Sequence, residues 1–159
     1  MRAPPRPHAR AAVVTLVIVL SAVFGSFVMT VSASAGLRER MLHAINRKRV
    51  AHDVHRLRLN RRLSRKALEH THRMIRRNRL YHTRNLQRVV RQYNSRTWGE
   101  NVGCARNLSR LMHKFMRSAA HRSNILERSY RRVGLGVVIA PDRNLCGRGS
   151  VWATQIFYG

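Results

Sequence analysis

The stretch Trp98-Gly99-Glu100-Asn101-Val102-Gly103 sets a carboxylate, an amide and two glycines within six residues. Only six Asp and Glu occur in the chain against 32 Lys and Arg, so a carboxylate placed between a glycine and an asparagine needs a partner. A buried Glu can pin a loop by accepting backbone N–H groups, since buried polar groups without partners are costly. It can also meet imidazoles from elsewhere in the chain. Two histidines stand in suitable contexts: His82 in Leu80-Tyr81-His82-Thr83, and His121 in Ser118-Ala119-Ala120-His121-Arg122-Ser123-Asn124-Ile125-Leu126.

Hydrophobic periodicity places these residues. Leu37 to Val50 reads as a first helix with Leu37, Met41, Leu42 and Ile45 on one side. His52-Asp53-Val54-His55 reads as a solvated connector, with a metal site as the lesser reading. Asn60 is a good N-cap for a second helix to about Asn78, burying Leu63, Ala67, Thr71, Met74 and Ile75. His70 and His72, two apart, cannot share a helical face and are read as surface or core-edge residues. His82 follows at a turn, and a short helix is expected over Asn85 to Tyr93. The Glu100 segment is expected as a short strand or extended loop ending at Cys104. Asn107 caps a fourth helix to about Ser118, with His121 just past its end and a helical turn through Leu126. From Val133 the pattern turns β-branched and glycine-punctuated. Pro141-Asp142-Arg143-Asn144 is turn chemistry and Ser150 to Phe157 is again strand-like, so an antiparallel hairpin closes the chain. Helices first and a sheet last predict an α+β layer arrangement.

The N-terminus has its own character. Met1 to Arg10 holds three Arg and three Pro, and no further charge follows until Arg38. Ala33-Ser34-Ala35 before Gly36 fits a secretory cleavage pattern, which leaves a domain over 36–159. The uncharged run Ala11–Val31 also reaches the ~20 residues that span a bilayer, so a retained anchor is the alternative for 1–35. Either reading puts the domain outside the cytoplasm, secreted or membrane-anchored. There an even cysteine count argues for a Cys104–Cys146 disulfide. Such a bridge closes a loop of about 43 residues and contributes roughly 4 kcal/mol. A nucleophilic Cys beside a His is the competing reading.

The net charge is +26; without Arg2, Arg6 and Arg10 the remainder carries 29 basic against six acidic residues, or +23. A field of this sign favours anionic envelope polymers or a membrane surface as partners, screened by salt beyond about 8–10 Å. Arginine supplies 29 of the 32 basic residues and is spread along the chain, so a compositional bias accounts for the charge as readily as a selected partner. No nucleic-acid motif or interleaved aromatic pattern is present, and nucleic acid is not expected as a specific partner.

Several segments together carry a resemblance. Gly99-Glu100-Asn101, Phe115 through Leu126, Val133-Gly134-Leu135-Gly136-Val137 and Trp152 through Phe157 follow one another in the order of bacterial CAP domains. These form the cysteine-rich secretory, antigen 5 and pathogenesis-related superfamily, also called SCP-like. The match extends upstream through Ile45-Asn46, Arg49, Leu57, Asn60, Leu63, Ala67 and Met74. The resemblance implies an α/β/α sandwich with a small antiparallel sheet flanked by helices. It also implies a cleft carrying two histidines and two glutamates, which in some members binds a divalent metal. Carried over by motif, His82 and His121 match the histidines and Glu100 one glutamate, with Asn101 beside it. The other glutamate falls at Ser118, so the tetrad is incomplete.

Two imidazoles and a carboxylate suffice for an open Zn2+ or other divalent site at His82, Glu100 and His121, with water completing the shell. Loss of the second carboxylate removes one candidate general base. The first functional reading is therefore an exported binding or structural module with no catalytic residues. A weak metal-dependent hydrolase is the second, and an electropositive adhesin for anionic envelope material the third. The resemblance also implies an apolar lipid ligand for some members, although no apolar groove is legible here. A Ser118/His121 nucleophile pair can approach at i, i+3, but no third group orients the imidazole.

Overall fold

The alternation of apolar residues in the last third of the chain becomes a sheet, and the helices take their places on its two faces. The computed structural model describes residues 34–159, so the expected signal or anchor over 1–35 lies outside the described residues but for Ser34 and Ala35. Helix α1 is described over 34–50. It is followed by β1 (Arg58–Leu59), α2 (Arg61–Arg76), α3 (Leu86–Val90) with a 3-10 turn (Arg91–Tyr93), and β2 (Trp98–Ala105). Then come α4 (Leu108–Arg117), α5 (Ala119–Leu126), β3 (Arg132–Ala140) and β4 (Ser150–Tyr158). The order across the sheet is β1-β3-β4-β2; β1 pairs parallel with β3, and β3–β4 and β4–β2 are antiparallel. Described residues from Gly36 onward form one compact unit. None of their helices is long and apolar enough to cross a membrane.

Successive strand residues point to opposite faces, and that parity sorts the core. Val133, Leu135 and Val137 of β3 and Val151, Ala153 and Phe157 of β4 share a cluster with Met41 and Ile45 of α1 and Leu111, Met112 and Phe115 of α4. On the opposite face Ile156 meets Leu63 and Ala67 of α2, and Trp152 meets Met74. The result is a three-layer α/β/α arrangement in an α+β chain. α2 can lie close because the strand positions beneath it are glycines. A Cβ on Gly134 would come within 2.4 Å of Leu63, and one on Gly136 within 2.3 Å of the Ala67 backbone.

Helix limits follow capping chemistry. The Asn60 side chain accepts from the Leu63 N–H, and Asn107 accepts from Arg110, satisfying donors that helix starts leave orphaned. Four expectations change in detail. The Glu100 segment is an eight-residue strand reaching Ala105, not a short strand or loop stopping at Cys104. His121 lies inside α5, because the chain breaks at Ser118 and re-enters a helix at once. His70, expected at the surface or core edge, is 2% exposed, its Nε2 lying 2.8 Å from the Tyr81 carbonyl. The His52–His55 connector is anchored at one end, His55 Nε2 lying 2.7 Å from the Tyr130 carbonyl. The disulfide joins Cys104 of β2 to Cys146 of the β3–β4 loop, with Cα atoms 6.0 Å apart.

Arg49 is the buried cation of the fold, with no exposed surface. It donates from Nε to the His55 carbonyl (2.7 Å), from Nη1 to those of Ile125 (2.8 Å) and Glu127 (3.0 Å), and from Nη2 to that of Tyr130 (3.2 Å). Burial, with the Arg131 guanidinium nearby, brings its pKa down to about 10, still charged at neutral pH. Asn46, one turn earlier, exchanges two hydrogen bonds with the Leu57 backbone.

Arg49→Met should lower stability by about 3–5 kcal/mol in urea denaturation, because carbonyls buried by the fold lose their donors. A loss under about 1 kcal/mol would mean that water replaces the guanidinium. Gly136→Ala should cost about 1–3 kcal/mol or more, since the α2 backbone must move away from the sheet. A neutral result in the same assay would contradict the close helix–sheet approach.

Candidate functional site

Glu100 and Asn101 are adjacent in β2 and therefore face opposite sides of the sheet. Because β2 is an edge strand, each can reach around to a different wall. Glu100 turns to the α2–α3 connection. Its Oε2 accepts from His82 Nδ1 (2.8 Å) and from the Thr83 N–H (2.8 Å), and its Oε1 accepts from the Thr83 hydroxyl. The Glu100 side chain is 2% exposed and the His82 ring 63%. The carboxylate is thus a buried anchor that fixes an accessible imidazole by Nδ1, leaving Nε2 for whatever enters.

Asn101 turns the other way. Its amide donates to the His121 carbonyl (3.1 Å) and to Gln155 Oε1 (3.0 Å), while its own oxygen accepts from Asn124 (3.0 Å). Asn124 also donates to the Glu100 carbonyl (3.2 Å). Gly99 makes this approach possible, since a Cβ there would lie 2.3 Å from Asn124 and 2.6 Å from the Tyr130 hydroxyl. α5 is therefore tied to β2 by amides, as the His82 turn is tied by a carboxylate.

His121 is half-buried, its ring edge-on to Phe115 at 5.1 Å between centroids. Burial first, and the neighbouring His82 second, hold its pKa below the ordinary histidine value. His82 and His121 thus approach the β2 edge from the two elements that Glu100 and Asn101 hold. Ser118, at the junction of α4 and α5, makes no side-chain capping bond there. Among the described residues, Ser118 and His121 form no side-chain hydrogen bond to each other.

The donor set does not suit a divalent metal in this arrangement. Both carboxylate oxygens of Glu100 are committed to His82 and Thr83, and Ser118, the position that the resemblance gives to the second glutamate, offers no carboxylate. Among the described residues no group of three or more His, Cys, Asp or Glu side chains is placed to hold an ion. The geometry instead orients the exposed His82 imidazole through a buried carboxylate.

Three members of the site escape sequence reasoning. Thr83 gives Glu100 two of its three donors, signalled only by its position after His82. Asn124 lies in the segment quoted for His121 without a role attached. Gln155 is the polar interruption of an apolar strand, and its amide nitrogen also lies 3.2 Å from the Met41 sulfur. A cavity of about 630 Å³ adjoins the His82 side, and a smaller groove of about 430 Å³ runs between α1 and α4.

The model of the cysteine-rich secretory protein family, CAP, matches residues 42–157. No curated protein matches the sequence. Among solved structures, an extracellular protein containing an SCP domain from Bacillus anthracis aligns with a TM-score of 0.63 at 19% identity, over 79% of this chain and 41% of that one. An outer surface protein from Borrelia burgdorferi gives 0.61 at 13% identity, over 76% and 90%. A cysteine-rich secretory protein from Staphylococcus aureus gives 0.59 at 20%, over 79% and 38%. The chain thus spans less than half the length of the Bacillus and Staphylococcus proteins. At these identities the likeness is one of fold.

In metal-free buffer His121 should titrate below the ordinary value of 6.5. The stability linked to its neutral form is complete above the unfolded value and is lost as pH falls through the folded one. His82→Ala removes the lesser cause and should move the His121 pKa part of the way back up, readable in the ring proton shifts by NMR. A value indifferent to His82→Ala would show that the two rings do not share the cleft.

Proposed function

The chain belongs to the cysteine-rich secretory protein (CAP) family, and on that premise we propose that it is an exported binding or structural module whose His82–Glu100–His121 cleft recognises a ligand without hydrolysing it. The observation that carries this reading is the commitment of Glu100. An acid that accepts from an imidazole and twice from Thr83 is a positioning group, and using it as a general base or metal ligand would cost those bonds. With serine at 118, the resemblance's second carboxylate is missing. What remains is one accessible imidazole, one half-buried imidazole and an amide-held wall, a set suited to hydrogen-bonded recognition.

Export is supported by the basic N-terminal run, the apolar segment that follows it and the Cys104–Cys146 bridge, since disulfides persist in oxidising compartments. The related proteins from Bacillus anthracis and Borrelia burgdorferi are themselves described as extracellular and outer-surface. The +26 charge favours an anionic partner such as an envelope polymer or a membrane surface, and the adhesin reading is contained in this one.

The test is to titrate zinc calorimetrically into wild type, His82→Ala, Glu100→Gln and His121→Ala while assaying peptide and ester hydrolysis. Expected are zinc binding too weak to distinguish the four proteins, no turnover in any, and a stability loss of about 1–3 kcal/mol for Glu100→Gln as a buried charged hydrogen-bond network loses its acceptor. Zinc-dependent turnover that Glu100→Gln abolishes would overturn the non-catalytic assignment.

A further inference from the structure

Between the end of α2 and the start of α3 an open cavity of about 630 Å³ lies beside His82. Its wall carries Arg73, Arg77, Arg79 and Arg84 together with Tyr81 and His82, and it holds no carboxylate. Among the described residues the ion pairs are Lys66–Glu69 and His82–Glu100, so none of these four guanidiniums is neutralised within the described part of the molecule. The nearby acid, Glu100, is occupied by His82 and Thr83.

The cavity is organised rather than merely charged. Buried His70 holds the Tyr81 carbonyl at 2.8 Å and packs edge-on against the Tyr81 ring at 5.1 Å. Arg73 lies 3.4 Å from His70 Nδ1. Arg77 donates to the Tyr81 hydroxyl at 3.3 Å, its guanidinium carbon 5.5 Å from the ring centroid. Two guanidiniums are thus positioned by an imidazole and a phenol that use few of their five donors. The partial negative charge at the C-terminal end of α2 helps to keep such cations together without supplying a counter-ion.

We propose that this cavity binds a phosphoryl group, as an ester on a larger molecule. A carboxylate would offset one of four positive charges, whereas a phosphoryl group brings up to two negative charges and three oxygens that match the planar arginine fork bidentately. The volume exceeds what a bare phosphate fills, leaving room for the alcohol that carries it. His82 lies on the same wall, within reach of the ester's substituent. This assignment rests on the binding-module reading above and names the ligand chemistry for its His82 side.

Charge alone does not single out this cavity, because the α1–α4 groove also carries Arg40, Arg47 and Lys48. That groove serves as the internal control. At fixed physiological ionic strength, the full chain is titrated calorimetrically with inorganic phosphate and with glycerol 3-phosphate. Saturable one-to-one binding is expected, weakened about tenfold or more in Arg77→Gln/Arg84→Gln and by less than about twofold in Arg40→Gln/Arg47→Gln. Equal losses in the two double variants, or binding that does not saturate, would overturn the proposal in favour of a diffuse field. Sedimentation with phosphatidylcholine vesicles, with and without phosphatidic acid, whose headgroup is a phosphate monoester, identifies the source. Retention that needs the anionic lipid and is lost only in Arg77→Gln/Arg84→Gln assigns a lipid headgroup, and ester binding without such retention assigns a soluble or polymeric phosphate ester. Failure here leaves the non-catalytic reading standing, whereas zinc-dependent turnover would sink that reading and leave saturable phosphate binding intact.

Discussion

The buried guanidinium of Arg49 is the joint on which the described unit depends. It leaves α1 and donates to carbonyls of the 52–56 connector, the end of α5 and the segment entering β3. The choice of carbonyls is itself a consequence of composition. With six acids against 32 bases, a buried cation cannot count on a carboxylate, and desolvating one is tolerable only if its donors are satisfied. Backbone carbonyls at chain ends supply that satisfaction and turn the cation into a cross-link between segments more than 70 residues apart. Arg49 thereby fixes the exit of α5, and α5 carries one wall of the cleft.

The other wall depends on strand parity. Because Glu100 and Asn101 are consecutive on an edge strand, one side chain controls the His82 turn and the other controls the His121 helix. A slip of one residue in the β2–β4 register would exchange the two roles. Asn101 resists that slip by bonding Gln155, its Cα partner across the ladder. The Gly-Glu-Asn run is therefore one device. The glycine admits Asn124 and Tyr130, the acid anchors one imidazole, and the amide anchors the helix that bears the other.

Much of this was legible in the sequence because it rests on local chemistry. Asn60 and Asn107 cap where their side chains and the following apolar periodicity say they should. The closing hairpin announces itself through β-branched alternation around Pro141-Asp142. Glu100 was conspicuous in a chain poor in acids. What stayed hidden depends on partners without sequence signatures. β1 is two residues long and exists by pairing with Arg132 and Val133 more than 70 residues away. His70 is buried by an interaction with the carbonyl of Tyr81, and any residue could supply a carbonyl. The break at Ser118 that places His121 inside a helix is set by packing against Phe115 and Asn101, and the local residues alone read as one helix ending and a turn following.

The scarcity of acids also bears on what the cleft can discriminate. Glu69 pairs with Lys66 at the surface, and Glu127 accepts from the Ser129 N–H in an exposed turn. Glu100 is spent inside the fold on Thr83 and His82. Glu100 is the one acid within β2, so a cation at that edge would have to compete with His82 and Thr83 for it, against the field of so many arginines. That field attracts anions indiscriminately and decays within a Debye length, so it can concentrate a partner near the surface but cannot choose between partners. Selection must come from groups whose positions do not relax when the ligand arrives. The rings of His82 and Tyr81 meet that requirement, the first held by a buried carboxylate and the second packed against His70. His70 and Tyr81 in turn hold Arg73 and Arg77 in place, which sets those guanidiniums apart from arginines that only add to the field.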